Sequence, residues 1–420
     1  MIRLIEALNY RCLRYVRQEI GPFHVLVGPN ASGKTSFLDV LSFLSRLISD
    51  GFDAAVSERS SNFYDLVWGR KGNRFELAIE ADMPQEYLKR KGSLNLKPGF
   101  KDAVAIRWEI AVGSAGKNKQ LSILEERIGL LSGKSQAGQT TLDRPPVSIF
   151  KSKEEVTPWF SGSRKREGAY WKLHNKARSN RSGPSFFDNM PSLWYFRTNN
   201  KDPDTADDMI APFSNLRYAK CHLSLDSESL RKPSPPGKGI LPLNDGSNLP
   251  WVISNLQEKA PKRFAFWLAH LQTGVPDLIG IRIVERDEDK HRYIMAQFKG
   301  GLEIPSWMLS DGTLRLMALT ILAYIPDFHS ICLIEEPENS IHPTNIETVM
   351  QSLSSVYEGQ VLVATHSPIV LGVTKPKDIL VFSRDDETGT HVVTGDKHPA
   401  LKEWKGEIDL GTLFAGGVLG

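Results

Sequence analysis

One short segment near the start of this 420-residue chain constrains its fold more than any other feature. It follows an apolar run, residues 23–28, and precedes an amphipathic run from Thr35 to Ile48. It matches the pattern G-x-x-x-x-G-K-[ST] in full and reads Gly28-Pro29-Asn30-Ala31-Ser32-Gly33-Lys34-Thr35. Glycines let backbone N–H groups converge on a phosphate, and a helix N-terminus adds partial positive charge. The segment therefore predicts a strand, a phosphate-binding loop and a helix.

The last two residues of this segment carry specific chemistry. In loops of this type the lysine, here Lys34, reaches the β- and γ-phosphates, and the hydroxyl of the next residue, Thr35, ligates Mg2+. A chance match in a glycine-rich turn is the alternative interpretation. The strand before the loop and the helix after it argue against chance. A nucleoside triphosphate with Mg2+ is therefore the expected ligand.

Two further motifs follow apolar runs of strand length. Residues 331–334 are apolar and are followed by Glu335 and Glu336, which would direct one carboxylate to magnesium and the next to the attacking water. A solvated acidic loop after a core strand is the alternative. Residues 361–364 are also apolar and are followed by His366, which is placed to hydrogen-bond a γ-phosphate. A structural or surface role is the alternative for this histidine.

A fourth motif, Ser310-Asp311-Gly312, directly precedes a helical pattern. Ser310 or Asp311 is a favourable N-cap for that helix. The N–H groups that need a cap can also hold a phosphate, so capping and nucleotide binding are compatible here.

In this order the four motifs resemble those of ABC-type ATPases of the SMC, RecF and OLD-like group, in the branch common in prokaryotic genome-maintenance and phage-defence operons. Residues 9–13, Asn-Tyr-Arg-Cys-Leu, also resemble the opening segment of that family, which implies that Arg11 lies near the nucleotide. On the sequence alone, a surface arginine is the favoured interpretation. The resemblance implies an ATP-binding set made of Gly28, Pro29, Asn30, Ala31, Ser32, Gly33, Lys34, Thr35, Ser36, Arg11, Ser310, Asp311 and Gly312.

The resemblance also implies a mechanism. Glu336 would be the catalytic glutamate, His366 the switch histidine and Lys34 the catalytic lysine, while Thr35 and Glu335 would ligate Mg2+. The family works as a head-to-head homodimer, in which the signature of one subunit caps the γ-phosphate held by the other. A higher oligomer is compatible with that dimer.

The chain departs from the family pattern in three respects. Asp311 stands where transporters have glycine, Thr313 stands where they have glutamine, and Glu335 stands where aspartate is commoner. The extra methylene of Glu335 favours water-mediated coordination and slow turnover. The usual Q-loop glutamine has no clear position in this sequence.

The expected fold class is α/β: a P-loop NTPase of the ABC-ATPase type with a mixed sheet, an antiparallel subdomain and a largely helical insertion. Residues 1–112 would form the N-terminal half of the ATPase head, 113–248 the insertion and 249–420 the C-terminal half. Strands are expected at 74–80 and 104–112 because β-branched residues are frequent and polarity partly alternates there. Within the insertion, residues 151–181 are basic with interleaved aromatics, which suits a nucleic-acid backbone, a partner protein or an ordinary solvated helical face.

Composition limits the remaining functions. No run approaches the roughly 20 apolar residues that span a bilayer, so no membrane partner is expected. Three cysteines without metal-type spacing fit a reducing cytoplasm. The residues after His366 are too few for the nuclease domain of OLD-like proteins, which favours a separately encoded effector, a nuclease or a toxin, in phage defence. The alternatives are a RecF-like DNA clamp and an ATP-gated scaffold with negligible turnover.

Overall fold

A computed structural model describes residues 1–83, 88–89, 103–115, 120–132, 145–150, 157–165, 168–173, 213, 216, 221–237, 239–401 and 409–419. Its strands are β1 (Ile2–Tyr10), β2 (Leu13–Glu19), β3 (Phe23–Val27), β4 (Arg74–Asp82), β5 (Ala103–Ala115), β6 (Gln120–Ser132), β7 (Thr157–Lys165), β8 (Gly168–Leu173), β9 (Cys221–Leu223), β10 (Leu278–Glu285), β11 (Arg292–Phe298), β12 (Leu302–Pro305), β13 (Ile331–Glu335), β14 (Gln360–Ala364), β15 (Ile379–Asp385) and β16 (Gly389–Thr394).

The α-helices of the described residues are α1 (Lys34–Asp50), α2 (Phe52–Ser57), α3 (Ser227–Arg231), α4 (Leu249–Lys259), α5 (Pro261–Gly274), α6 (Asp311–Thr320), α7 (Pro343–Ser354), α8 (Pro368–Gly372) and α9 (Leu410–Ala415). Within this part of the chain, none of them is both long and apolar enough to span a bilayer.

Three sheets organise the strands. Seven strands form an antiparallel sheet in the order β2-β1-β4-β5-β6-β7-β8, and three form a meander, β10-β11-β12. The third sheet has the order β16-β15-β3-β14-β13-β9, and its pairs from β15 to β9 are parallel. The strands β3, β13 and β14 are almost wholly buried and apolar, as parallel strands covered on both faces are. Their carboxyl ends meet at one edge, which positions the loops that follow them.

The chain divides into two compact units. The first contains residues 1–21, 30–218 and 382–393. Its interior includes an aromatic cluster in which the Phe75 ring lies 4.9 Å from Tyr10, 5.5 Å from Phe43 and 5.8 Å from Phe63, measured between ring centroids. Edge-to-face and offset pairs at such distances add to the free energy gained by burial.

The second unit contains residues 22–29, 219–381 and 394–420. Helices α4 to α7 bury apolar side chains in its core, where the Trp267 indole also donates a 3.0 Å hydrogen bond to Thr320. Leu410 and Leu419, near the end of the chain, belong to the same core.

One face of the seven-stranded sheet holds a buried charge network. Arg107 on β5 is fully buried and contacts three carboxylates, Glu6 at 2.6 Å, Glu80 at 3.0 Å and Glu109 at 2.6 Å. It also donates to the backbone oxygen of Ile149. Burial alone would disfavour the charged guanidinium, but the surrounding carboxylates outweigh it and raise the pKa of Arg107.

The α/β class and the antiparallel subdomain are confirmed, whereas the largely helical insertion is wrong for the described part of 113–248. Strands β6, β7 and β8 lie there and extend the seven-stranded sheet, and α3 is a single short helix. The basic segment 151–181 contains β7 and β8, and its other residues and all its side chains lie outside the described part. The boundaries 1–112, 113–248 and 249–420 stay a prediction.

Candidate functional site

The loop after β3 has the backbone of a phosphate-binding loop. Gly28, Ala31 and Gly33 have φ angles of 147°, 61° and 109°, and such positive values favour glycine. Gly33 is the N-cap of α1 and has no side chain to cap it. The N-terminus of a helix favours an anion because its N–H groups point outward and carry partial positive charge. The Thr35 side chain is exposed at this end, and Lys34 is largely buried.

A residue from the far end of the sequence supports the loop. The Thr390 hydroxyl, on β16, donates to the backbone oxygen of Ser32 at 2.9 Å and lies 3.3 Å from the oxygen of Cys12. A Cβ built on Gly33 would lie 2.4 Å from the Thr390 Oγ1, which is closer than real Cβ atoms come. Gly33 is therefore required both for its backbone conformation and for this close approach.

Arg11 lies beside the helix that follows the loop. Its guanidinium is 3.0 Å from the carboxylate of Asp39, which also pairs with Arg59 at 2.7 Å and accepts a 2.6 Å bond from the Tyr10 hydroxyl. Asp39 follows Thr35 by one helical turn, so it shares the face of α1 that begins at the loop. Next to Arg11, the Cys12 thiol contacts the Ser36 hydroxyl at 3.1 Å.

The predicted acids lie at the carboxyl end of β13. Glu335 is its last residue, with 35% of its side chain exposed. Glu336 has a φ of 47°, the left-handed region in which non-glycine residues are uncommon. Its N–H donates to Ala364 at 2.7 Å, and its carboxylate accepts a 2.7 Å bond from Asn339. These two bonds fix the direction of the Glu336 carboxylate.

The predicted histidine lies at the same sheet edge. His366 is half-buried and follows β14, whose last residue, Ala364, holds the Glu336 N–H. Thr365 between them is fully buried and donates to Glu338 at 2.5 Å. Burial raises the pKa of Glu338, and the nearby Glu336 carboxylate adds to that rise.

The signature segment begins α6, as the sequence predicted. Ser310 is the N-cap, and its exposed hydroxyl oxygen accepts from the Thr313 N–H at 3.2 Å. A Cβ on Gly312 would lie 2.7 Å from the backbone oxygen of Ser340. The absence of a side chain at Gly312 thus lets the signature helix touch the loop that follows Glu336.

Asp311 differs from its neighbours because a basic partner holds it. The Arg231 guanidinium, at the end of α3, donates to the Asp311 carboxylate and also to the backbone oxygen of Trp307 at 3.1 Å. This hydrogen bonding lowers the pKa of Asp311. The negative charge at the start of α6 is therefore offset by a fixed cation.

The predicted residues fall into two groups. In the first unit, Arg11 and Ser36 lie beside residues of the loop and its helix. In the second unit, Glu335, Glu336 and His366 share one sheet edge, to which Ser310–Gly312 is joined through Ser340. Sequence reasoning missed Thr390, Asp39 and Arg231. Only Asp39 carried a local signal, its helical spacing from Thr35.

ATP with Mg2+ fits these residues on observations of the protein itself. The loop backbone is already left-handed where a phosphate cradle requires it, and the N-cap of α1 is a glycine, which has no capping side chain. Thr35 in the first unit has an exposed hydroxyl, and Glu335 in the second has a half-exposed carboxylate. Each is an oxygen group of the kind that Mg2+ prefers.

The solved structures that match the chain include heads of SMC proteins. The SMC head bound to the C-winged helix domain of ScpA has a TM-score of 0.50 and 15% identity, over 93% of this chain and 97% of that one. An SMC head bound to the C-terminal domain of ScpA from Pyrococcus furiosus has a TM-score of 0.48 and 13% identity, over 93% and 95%. The SMC head from Thermotoga maritima has a TM-score of 0.38 and 12% identity, over 94% and 98%.

Among curated protein sequences, no significant match to the chain exists. A family model does match, over residues 23–94 and 150–372, which is more than half of the chain and includes the phosphate-binding loop, the signature, the acidic strand end and His366. The likeness to the SMC head supports the ABC-type ATPase fold. The chain therefore belongs to the AAA domain family described as "putative AbiEii toxin, Type IV TA system".

Proposed function

We propose that this ATPase hydrolyses ATP slowly as a homodimeric switch and controls a separately encoded effector in phage defence. The observation that carries the hydrolytic part is the geometry of Glu336. Its backbone is held in an unfavourable conformation by the hydrogen bond to Ala364, and its carboxylate is held by Asn339. Strained residues at such edges are commonly functional.

The phosphate-binding loop and the first residues of α1 bind ATP. Lys34 and the loop N–H groups hold the β- and γ-phosphates, and Arg11 lies near the nucleotide. Thr35 and Glu335 would hold Mg2+, which when bound neutralises phosphate charge. Ser32, almost fully buried, shapes the loop through its backbone bond to Thr390.

Residues at the carboxyl ends of β13 and β14 carry out hydrolysis. The Glu336 carboxylate orients the attacking water and accepts its proton, while His366 donates a hydrogen bond to the γ-phosphate. Asn339 is a positioning residue, because it acts only through Glu336. Lys34 offsets the charge that develops on the transferred phosphoryl group.

The signature of a second copy would complete the site. Ser310 is exposed at the N-terminus of α6, and Trp307 and Met308 beside it are exposed by 44% and 70%. An exposed apolar surface around a phosphate-binding helix end suits an interface between copies. The Ser310 hydroxyl and the Gly312 N–H then cap the γ-phosphate of the partner, and Arg231 offsets the Asp311 charge there.

The proposal of a separately encoded effector rests on the family description, and not on the geometry of the site. The family description names a toxin of a toxin–antitoxin system. The SMC head with a similar fold binds a winged helix domain of another protein. ATP-dependent opening and closing of the proposed dimer is the signal that such a partner would receive.

Size-exclusion chromatography with ATP tests whether the protein dimerises and whether Glu336 is needed for hydrolysis. Glu336→Gln is expected to bind ATP but not hydrolyse it, so the variant accumulates as an ATP-bound dimer in size-exclusion chromatography. Glu347→Gln, the same change at an exposed position of α7, should behave like the wild type. An unchanged ATPase rate in Glu336→Gln would refute the hydrolytic mechanism.

The basic composition of 151–181 favours a second candidate, a RecF-like clamp on DNA. Such a clamp should bind DNA tightly only with ATP, and its affinity should fall steeply with salt. Salt-sensitive, ATP-dependent DNA binding by the isolated protein would favour the clamp. ATP hydrolysis without DNA binding would favour the effector-controlling switch.

A further inference from the structure

A histidine outside the predicted set lies beside Glu335. His222 is on β9, whose parallel pairing with β13 places it opposite Leu333. Paired residues of neighbouring strands share a face of the sheet, and so do alternate residues of one strand. His222 and Glu335 therefore face the same way at the same end of the sheet, with His222 Nε2 3.6 Å from Glu335 Oε1.

The distance between these two atoms is informative. It is longer than a hydrogen bond, although a protonated imidazole would form an ion pair with the carboxylate at this distance. Two ligands bound to one divalent metal at about 2.0–2.2 Å are separated by about 3 to 3.5 Å, which is close to the observed 3.6 Å. The side chains of His222 and Glu335 are 39% and 35% exposed, so both can reach an ion at the sheet edge.

We propose that His222 is a nitrogen ligand of the nucleotide-bound metal and makes this ATPase prefer a first-row divalent transition metal over Mg2+. The inference rests on the proposed function, in which Glu335 is a metal ligand. Mg2+ takes oxygen ligands, whereas imidazole suits transition metals, so a histidine and a glutamate together shift the selectivity.

The nucleotide has to complete this metal site. In the described residues, no group of three or more His, Cys, Asp or Glu side chains surrounds a common point. His222 and Glu335 are therefore a partial ligand set, and the remaining ligands are phosphate oxygens and water. Tight binding of the metal is expected only together with ATP.

Electron paramagnetic resonance with Mn2+ as the probe tests the ligand directly. Protein labelled with 15N-histidine is mixed with Mn2+ and a non-hydrolysable ATP analogue, and pulsed spectra are recorded. The wild type is expected to show coupling between 15N and bound Mn2+. His222→Ala should lose that coupling, and His329→Ala, which removes an exposed histidine, should keep it.

Competition between Mg2+ and Mn2+ measures the metal selectivity that the proposal predicts. The Mg2+ concentration that displaces half of the bound Mn2+ is expected to fall about fivefold or more in His222→Ala. His222→Gln, which offers an oxygen donor of similar reach, should also favour Mg2+, and circular dichroism checks that both variants fold. Histidine coupling absent from the wild type, or retained in His222→Ala, would overturn the inference while the ATP site stands. Failure of the analogue to bind with either metal would overturn both proposals.

Discussion

Gly33 combines two restrictions that can be separated experimentally. Its φ of 109° is strained for any other residue, and its position next to Thr390 leaves no room for a Cβ. Gly33→Ala is expected to weaken ATP binding about tenfold or more, because the loop must move to relieve the clash. The dissociation constant for a fluorescent ATP analogue measures this loss.

Gly69→Ala is the matched control for that change. Gly69 also has a positive φ, 58°, but nothing lies within 4 Å of a Cβ built on it. It should therefore cost about 1 kcal/mol of stability from backbone strain and leave the affinity for ATP unchanged. Equal ATP affinities in Gly33→Ala and the wild type would show that Thr390 does not constrain the loop.

A second residue-scale prediction concerns the pH dependence of stability. Burial lowers the pKa of His24 on β3 below its ordinary value, and its Nδ1 lies 3.3 Å from the backbone oxygen of Asp378. The unfolded chain therefore binds a proton at this site more readily than the folded protein does. Above the pKa of histidine in the unfolded chain, about 6.5, this difference in proton binding does not change the free energy of unfolding. As pH falls below that value, the free energy of unfolding decreases.

Urea unfolding at pH 7.5 and 5.5 measures the effect. His24→Gln is expected to lose less of its free energy of unfolding between the two pH values than the wild type does. His329→Gln, at an exposed position, should change as the wild type changes. His270 and His398 are half-buried, and desolvation also lowers their pKa values, so they add a remaining dependence of the same sign.

At the scale of elements, the seven-stranded sheet depends on Arg107. Arg107→Met keeps the bulk but leaves Glu6, Glu80 and Glu109 buried without their shared cation. The expected loss in the free energy of unfolding is about 3–5 kcal/mol, as when one partner of a buried ion pair is removed. Chemical denaturation measures it.

An exposed ion pair provides the comparison. Arg46 and Asp50 on α1 are 2.7 Å apart, with 37% of each side chain exposed. Arg46→Met is expected to cost less than about 1 kcal/mol because water screens the pair. A similar cost for Arg46→Met and Arg107→Met would mean that the buried network does not stabilise the sheet.

Elements were predictable from the sequence where their signals are local. The loop, α1, β13 and β14 each carry a contiguous pattern, and the structure has them within a few residues of the predicted bounds. The strands β7 and β8 of the insertion carry no such contiguous pattern. They are recognisable only through their pairing with neighbouring strands. Thr390 was missed for the same reason: sheet pairing, not sequence spacing, places it.

At the scale of the whole molecule, the proposed dimer makes each ATP site composite. Lys34→Ala removes the loop lysine, and Ser310→Arg blocks the signature, so each variant alone should lack ATPase activity. A two-fold interface lets a mixed dimer rebuild one intact site from the loop of one chain and the signature of the other. An equimolar mixture should therefore recover about a quarter of the wild-type rate, because half of the dimers are mixed and each has one working site.

The double variant Lys34→Ala/Ser310→Arg is the control for the mixture. The double variant has neither an intact loop nor an intact signature. In a mixed dimer with either single variant, every ATP site therefore lacks at least one of the two. The ATPase rate of such a mixture should stay as low as that of the single variant alone. No recovery in the mixture of single variants would show that Ser310 does not act across an interface.

The contact of Gly312 with the backbone of Ser340 has a mechanical consequence for such a dimer. Because no side chain separates them, the serine turn that would meet a neighbour's nucleotide and the loop whose Asn339 steers Glu336 cannot shift independently. Closure of the dimer would thus carry the signature and the general base of one copy together, as a single rigid piece.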